Sequence, residues 1–169
     1  MRIPSLLIRP AAESDAEAIG RVHFHAWQET YTGLLPGEIM SHLSEERSVG
    51  IFRREGCRNI FVAVLEEETV GFCGYGPWRG EAPPPTPGEV VGLYVLQKSQ
   101  HKGIGAQLLH TALDTLHSQG YTTAALWVLG SNIRAMEFYR AQGFRDTGIT
   151  QGSGPLLERK MEIHLPAQH

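Results

Sequence analysis

Glu89-Val90-Val91-Gly92-Leu93-Tyr94-Val95 and, five positions on, Gln100-His101-Lys102-Gly103-Ile104-Gly105 are the stretch that decides how this chain folds. The first run is β-branched, apolar and aromatic, the make-up of a strand. Beyond the second run, Ile104, Leu108, Ala112 and Leu116 recur every four residues, with Leu109 and Leu113 beside them. That period predicts a helix over 103–119, stopped by Gly120. A strand, a glycine-rich turn and a helix start therefore follow one another. The first amides of a helix are unpaired and carry partial positive charge. Glycine lets an anion approach them, so the turn can cradle a pyrophosphate. The plainer reading is a tight turn that needs glycine. A Rossmann turn would have a third glycine at position 108, which is Leu108, and a P-loop would have Gly-Lys-Ser/Thr, which is absent.

Working outward, Leu6 to Pro10 reads as a first strand. Ser14 and Glu17 have capping-box spacing, which predicts a helix over 15–30 with Ile19, Val22 and Ala26 on its apolar stripe. Two short helices are expected near 36–42 and 44–54. Residues 59–65 and 69–75 read as a hairpin around Glu66-Glu67-Glu68. The segment from Pro77 to Gly88 holds five prolines and two glycines, and reads as a loop lying over a site. A strand over 122–129, a helix opened by Asn132 and closed by Gly143, and strands near 144–150 and 156–165 complete the order. The fold class is α/β: a mixed sheet with helices on both faces.

The totals fit one domain spanning 1–169, since a domain takes roughly 100–200 residues. With 41% hydrophobic and 20% charged residues, the composition is that of a globular protein. A net charge of -3 argues against a nucleic-acid partner. No run reaches the ~20 apolar residues of a membrane span. Cys57 and Cys73 have no metal-type spacing, and two reduced thiols lead us to expect a cytoplasmic protein.

Leu93-Tyr94-Val95 followed by Gln100-x-x-Gly103-x-Gly105 resembles the coenzyme A signature of the GNAT acyltransferases, Arg/Gln-x-x-Gly-x-Gly/Ala. Asn132-x-x-Ala135-x-x-Phe138-Tyr139-x-x-x-Gly143-Phe144 resembles that family's second signature. The resemblance implies a mostly antiparallel central sheet and acetyl-CoA as co-substrate, with no metal. It places the pantetheine arm along Leu93, Tyr94 and Val95, with Leu93 and Val95 bonding it. It places the phosphates on Gln100, His101, Lys102, Gly103, Ile104 and Gly105. His101 and Lys102 either add a cation there or are solvated. Asn132 would contact the arm and the Tyr139 hydroxyl would reach the sulfur. Relatives that dimerise make a homodimer an expectation.

For an amine acceptor, pKa near 10.4 leaves about one molecule in 10³ neutral at pH 7, a cost of roughly 4–5 kcal/mol. A base or a water chain must take that proton. The thioester carbonyl needs a donor such as the amide of Val95 or its neighbour. Tyr139 is the candidate acid for the departing thiolate. Glu89 is the candidate base. It lies six residues before Val95, on the strand parity of Leu93 and Val95, at the position where the histone-acetylating branch has its base. The alternatives are a solvated glutamate and a water base. The branch that acetylates ribosomal-protein N-termini has a glutamate where this chain has Trp127, which argues against that acceptor. Trp27, Glu29 and Tyr31 are the candidate acceptor contacts, Trp27 and Tyr31 sharing one helix face. Their stretch resembles a bacterial subgroup with polyamine-acetylating members. His23 and His25 point to opposite sides of that helix, so they do not share a metal. The leading reading is an acetyl-CoA-dependent N-acetyltransferase acting on a primary amine: a polyamine, a small amine or an antibiotic-like amine. The rivals are a non-catalytic acyl-CoA-binding or sensing domain and a nucleotide-binding α/β protein.

Overall fold

Residues 5–168 are described by a computed structural model. Strands β1 (Leu6–Pro10), β2 (Ile60–Leu65), β3 (Glu68–Pro77), β4 (Gly88–Val95), β5 (Thr123–Leu129), β6 (Arg145–Gln151) and β7 (Glu158–His164) form one sheet in the order β1-β2-β3-β4-β5-β7-β6. Each neighbouring pair is antiparallel except β4 with β5. The parallel pair arises because α4 (Ile104–Ser118) carries the chain from one end of the sheet back to the other.

Helices cover both faces, as the apolar patterning predicts. On one face α4 buries Ile104, Leu108, Leu109, Ala112, Leu113 and Leu116. They pack on Val70, Cys73, Val90, Ala124, Leu126 and Met161 of the sheet. The second-motif helix, α5 (Ile133–Ala141), joins the same core through Met136. On the other face α1 (Ala16–Tyr31) and α3 (Glu45–Glu55) set Ile19, Val22 and Phe52 against Val62 and Phe72. The short α2 (Gly37–Met40) links them. Gly20 lets α1 and α3 meet: a Cβ there would lie 2.5 Å from the Val49 Cα.

Two local expectations change. The start of α1 is not capped by Ser14. Asp15 stands at the N-cap position, but its side chain turns back from α1, accepting from the Ala12 amide at 2.7 Å and from both Arg9 guanidinium ends at 2.8 and 2.9 Å. The cation at the end of β1 draws the carboxylate in. The hairpin turn is only Glu66-Glu67, both at positive φ, and Glu68 is already strand. Two left-handed residues give the twist that a two-residue hairpin requires.

A third change positions the site. Gly74 pairs with Gly92 but Tyr75 pairs with Val90, so Val91 is an extra residue in β4. This bulge reverses side-chain parity. Leu93 and Val95 pack toward α4, whereas Tyr94 packs with the α1 face. Val90 lies in the α4 core, so its neighbour Glu89 lies on the α1 face, opposite Leu93 and Val95. The parity read from the sequence counted through the bulge as if it were regular strand.

Candidate active site

β4 and β5 stay together for two residue pairs only, Gly88 with Ala124 and Glu89 with Ala125, and then part. The edge of β4 beyond that point faces a gap. The Leu96 amide donates to Val70 of β3, so by alternation the amides and carbonyls of Leu93 and Val95 point the other way, into the gap. One of these groups is taken: the Gln100 side-chain amide donates to the Val95 carbonyl at 3.1 Å. The Gln100 side chain thus braces the strand, and its main-chain amide donates to the Gln97 carbonyl at 3.2 Å.

The turn beyond the strand is shaped for an anion. Gly103 sits at φ 78 before the first residue of α4, where an L side chain is strained, and no atom lies within 4 Å of where its Cβ would be. The amides of Ile104, Gly105 and Ala106 open the helix without partners from a preceding turn. The Ile104 side chain is buried in the core, so only its amide can serve. His101 and Lys102 are exposed. The open edge leaves main-chain groups free to pair with an extended arm, and the cleared helix start leaves amides free for an anion. Among the described residues, no group of three or more His, Cys, Asp or Glu could hold a metal.

Three tyrosines from three elements converge near the gap. Tyr139 of α5 has its pKa raised by burial, and further by Cys73, Tyr31 and Tyr94 close by. Burial likewise raises Tyr94, with Tyr31 and Glu158 adding to it. Tyr31, at the end of α1, is raised by burial and by Glu158, while a hydrogen bond from Asn132 opposes the shift. All three hydroxyls hold their protons at neutral pH. Asn132 is buried, and its side chain also accepts from the Ala135 amide at 3.2 Å, capping α5. Tyr139 is fixed by this cap at one end of α5 and at the other by the Phe144 amide, which donates to its carbonyl. The Tyr94 ring lies 5.2 Å from His23 and 5.3 Å from Phe72, on the α1 face and off the line of the arm.

Trp27 and Tyr31 do share a face, with ring centroids 4.6 Å apart. Glu29 is engaged elsewhere. Its carboxylate accepts from the Gln97 amide at 3.1 Å, tying α1 to the turn after β4. His23 faces inward, bonded to the Ser48 hydroxyl at 2.9 Å and kept neutral by burial, while His25 is exposed. Burial pushes the Cys73 thiol up to about 12, which leaves it unreactive.

Glu89 is buried, its side chain 3% exposed, and is held wholly by Arg79. Its Oε1 accepts from the Arg79 amide and Nε at 3.1 Å each, and its Oε2 from Nε at 3.2 Å and Nη2 at 2.7 Å. Three N–H groups thus meet the two oxygens, with the Nε hydrogen shared between them. The carboxylate faces Arg79 rather than the open gap.

Sequence reasoning missed Arg79, Trp78, Lys160 and Glu158. Trp78 lies over Trp127, centroids 5.7 Å apart, and Lys160 Nζ stands 4.6 Å from the Trp78 ring centroid. Glu158 starts β7 and faces the α1 side with Lys160, since Met161 and Ile163 face α4. The tryptophan in an otherwise polar, proline-rich loop is the one signal that the sequence offered.

The sequence model of the Acetyltransferase (GNAT) family matches residues 21–144. An N-acetyltransferase of Archaeoglobus fulgidus is 34% identical over 142 residues, covering 82% of this chain and 92% of the relative. A spermidine N(1)-acetyltransferase of Thermoplasma acidophilum is 28% identical over 166 residues, covering 94% and 99%. The PaiA N-acetyltransferase of Thermoplasma acidophilum, solved in complex with coenzyme A, superimposes with a TM-score of 0.72 at 23% identity, covering 95% and 99% of the two chains. The parted strands, the cleared helix start and these matches converge: the chain belongs to the GNAT family and is an acetyl-CoA-dependent N-acetyltransferase.

Proposed function

We propose that the acceptor is a small primary amine carrying positive charge, of the polyamine kind, and that it enters from the α1 face of the gap. The observation that carries this reading is Glu158. Its carboxylate stands at the start of β7 on the α1 side, accepts from Gln151 Nε2 at 2.8 Å, and lies close enough to Tyr31 and Tyr94 to raise the pKa of both and to Arg79 to raise its pKa too. A carboxylate among tyrosine hydroxyls suits an ammonium group. The full-length similarity to a spermidine N(1)-acetyltransferase supports the same class.

When bound, acetyl-CoA supplies the activated acetyl group. The amides of Ile104, Gly105 and Ala106 hold its diphosphate at the positive end of α4. The Val95 amide pairs with the arm as a neighbouring strand would. The Leu93 amide, nearer the point where the strands part, donates to the thioester carbonyl oxygen, where charge develops. Tyr139 donates a hydrogen bond to the departing sulfur. A free thiol has pKa near 8.5 and Tyr139 lies above the usual 10, so full proton transfer from tyrosine would be uphill. Tyr139 therefore acts as a held donor. With Glu89 engaged by Arg79, water on the open α1 side carries the amine proton away.

The test is a panel of spermidine, simple alkylamines, amino sugars and short peptides with free N-termini mixed with acetyl-CoA, with free thiol measured. Thiol release with the cationic primary amines is expected. Release with none of them, or only with peptide N-termini, would overturn the acceptor class.

A further inference from the structure

We propose that Arg79 and Glu89 act as one positioning unit: together they seat the 77–88 segment so that Trp78 walls the acceptor side of the gap and sets how tightly the acceptor is held. The proposal rests on the reading above that the acceptor enters from the α1 face.

The contacts are lopsided in a telling way. Glu89 is 3% exposed in its side chain and Arg79 is 66% exposed. The pair therefore does not bury an arginine. It reaches out from a strand to catch one. A carboxylate buried this far is costly unless paired, so the position of the loop is coupled to that of Glu89. The catch includes the Arg79 backbone amide at 3.1 Å, so the main chain of the loop is fixed as well as the side chain.

What that fixes is the preceding residue. Trp78 tilts at 35° over Trp127, with Lys160 Nζ 4.6 Å from its centroid. Trp127 and Lys160 are direct partners across β5 and β7. Trp127 lies two residues beyond Ala125, the last β5 residue that pairs with β4. The indole therefore stands where the strands begin to part. Lys160 occupies one ring face, so Trp78 offers an apolar wall to the carbon chain of an acceptor, and the attraction of charge is left to Glu158. The Trp78 Nε1 is buried without a partner, which disfavours this seat unless the neighbouring pair enforces it.

The test combines kinetics with fluorescence, using spermidine, kanamycin and phenethylamine as acceptors. Arg79→Ala should raise acceptor KM about tenfold or more, with kcat within about threefold and acetyl-CoA KM unchanged. Glu89→Gln should do the same. The double variant should be no worse than either single change, as expected for residues that act as a unit. Arg79→Lys should recover part of the acceptor affinity. Acrylamide should quench tryptophan emission more strongly in Arg79→Ala than in the parent. If Arg79→Ala alone does not fold, the double variant still reports, because it leaves no buried charge unpaired. A kcat loss of about 10²-fold in Glu89→Gln at unchanged KM would place Glu89 in proton transfer and overturn the proposal. Unchanged quenching and KM in Arg79→Ala would overturn it too. If the parent turns over none of the three amines, the acceptor class fails, and the quenching still decides whether the pair seats Trp78.

Discussion

The Gln100 side chain turns back on the strand it follows and donates to the Val95 carbonyl at 3.1 Å. This bond joins the two halves of the coenzyme site, the strand edge and the turn. Gln100→Ala should leave the carbonyl unmet and loosen the turn. A neutral hydrogen bond is worth about 0.5–1.5 kcal/mol, so acetyl-CoA KM should rise roughly 3–10-fold, with acceptor KM little changed. Steady-state kinetics at saturating acceptor would measure it.

Tyr139→Phe removes the donor to the departing sulfur without changing packing. kcat should fall by about 10²-fold, the usual loss for one such donor, while acetyl-CoA KM stays within a few-fold. Burial and its neighbours raise the Tyr139 pKa, so no loss of activity from its ionisation is expected up to pH values near that of free tyrosine, about 10. A high-pH limb near neutrality that vanished in Tyr139→Phe would contradict this role.

How much of this was legible in the sequence follows the range of each interaction. The strand, turn and helix around Gly103 rest on contiguous residues with strong periodicity, and they were readable. The Asn132 cap lies three residues from its donor and was readable for the same reason. The Val91 bulge was not, because an extra strand residue shows only against its partner β3. That one residue moved Glu89 to the other face. Arg79 and Glu89 are ten residues apart across an irregular loop, with no period to relate them. Glu158 matters because β7 inserts between β5 and β6, which no local pattern encodes.

Asp15→Asn tests the junction of β1 and α1. Hydrogen bonding to Arg9 lowers the Asp15 pKa, and the Ala12 amide adds to this against the opposing effect of burial. A depressed folded-state pKa gives stability that is full above the unfolded value of about 3.9 and is lost as pH falls through the folded one. The Arg9 side chain is 38% exposed, so solvent weakens the pair. We expect Asn to cost about 1 kcal/mol at pH 7, or about 2–4 °C in Tm, with the difference from the parent disappearing at low pH. Thermal melts across pH would show it.

Gly20→Ala should destabilise although alanine is the better helix former by about 1 kcal/mol. Its Cβ would meet the Val49 backbone at 2.5 Å, so α1 and α3 must separate. Overpacking of this kind costs about 1–3 kcal/mol, which matches or exceeds the propensity gain. Denaturant unfolding would report the sign directly, and a stabilised variant would show that the two helices can yield.

Amide hydrogen exchange with and without coenzyme A tests the central claim most directly. Binding should slow exchange at Leu93 and Val95 on the open strand edge and at Ile104, Gly105 and Ala106 at the start of α4, with little change on α3. Protection confined to other surfaces, with these five amides exchanging as before, would contradict the site.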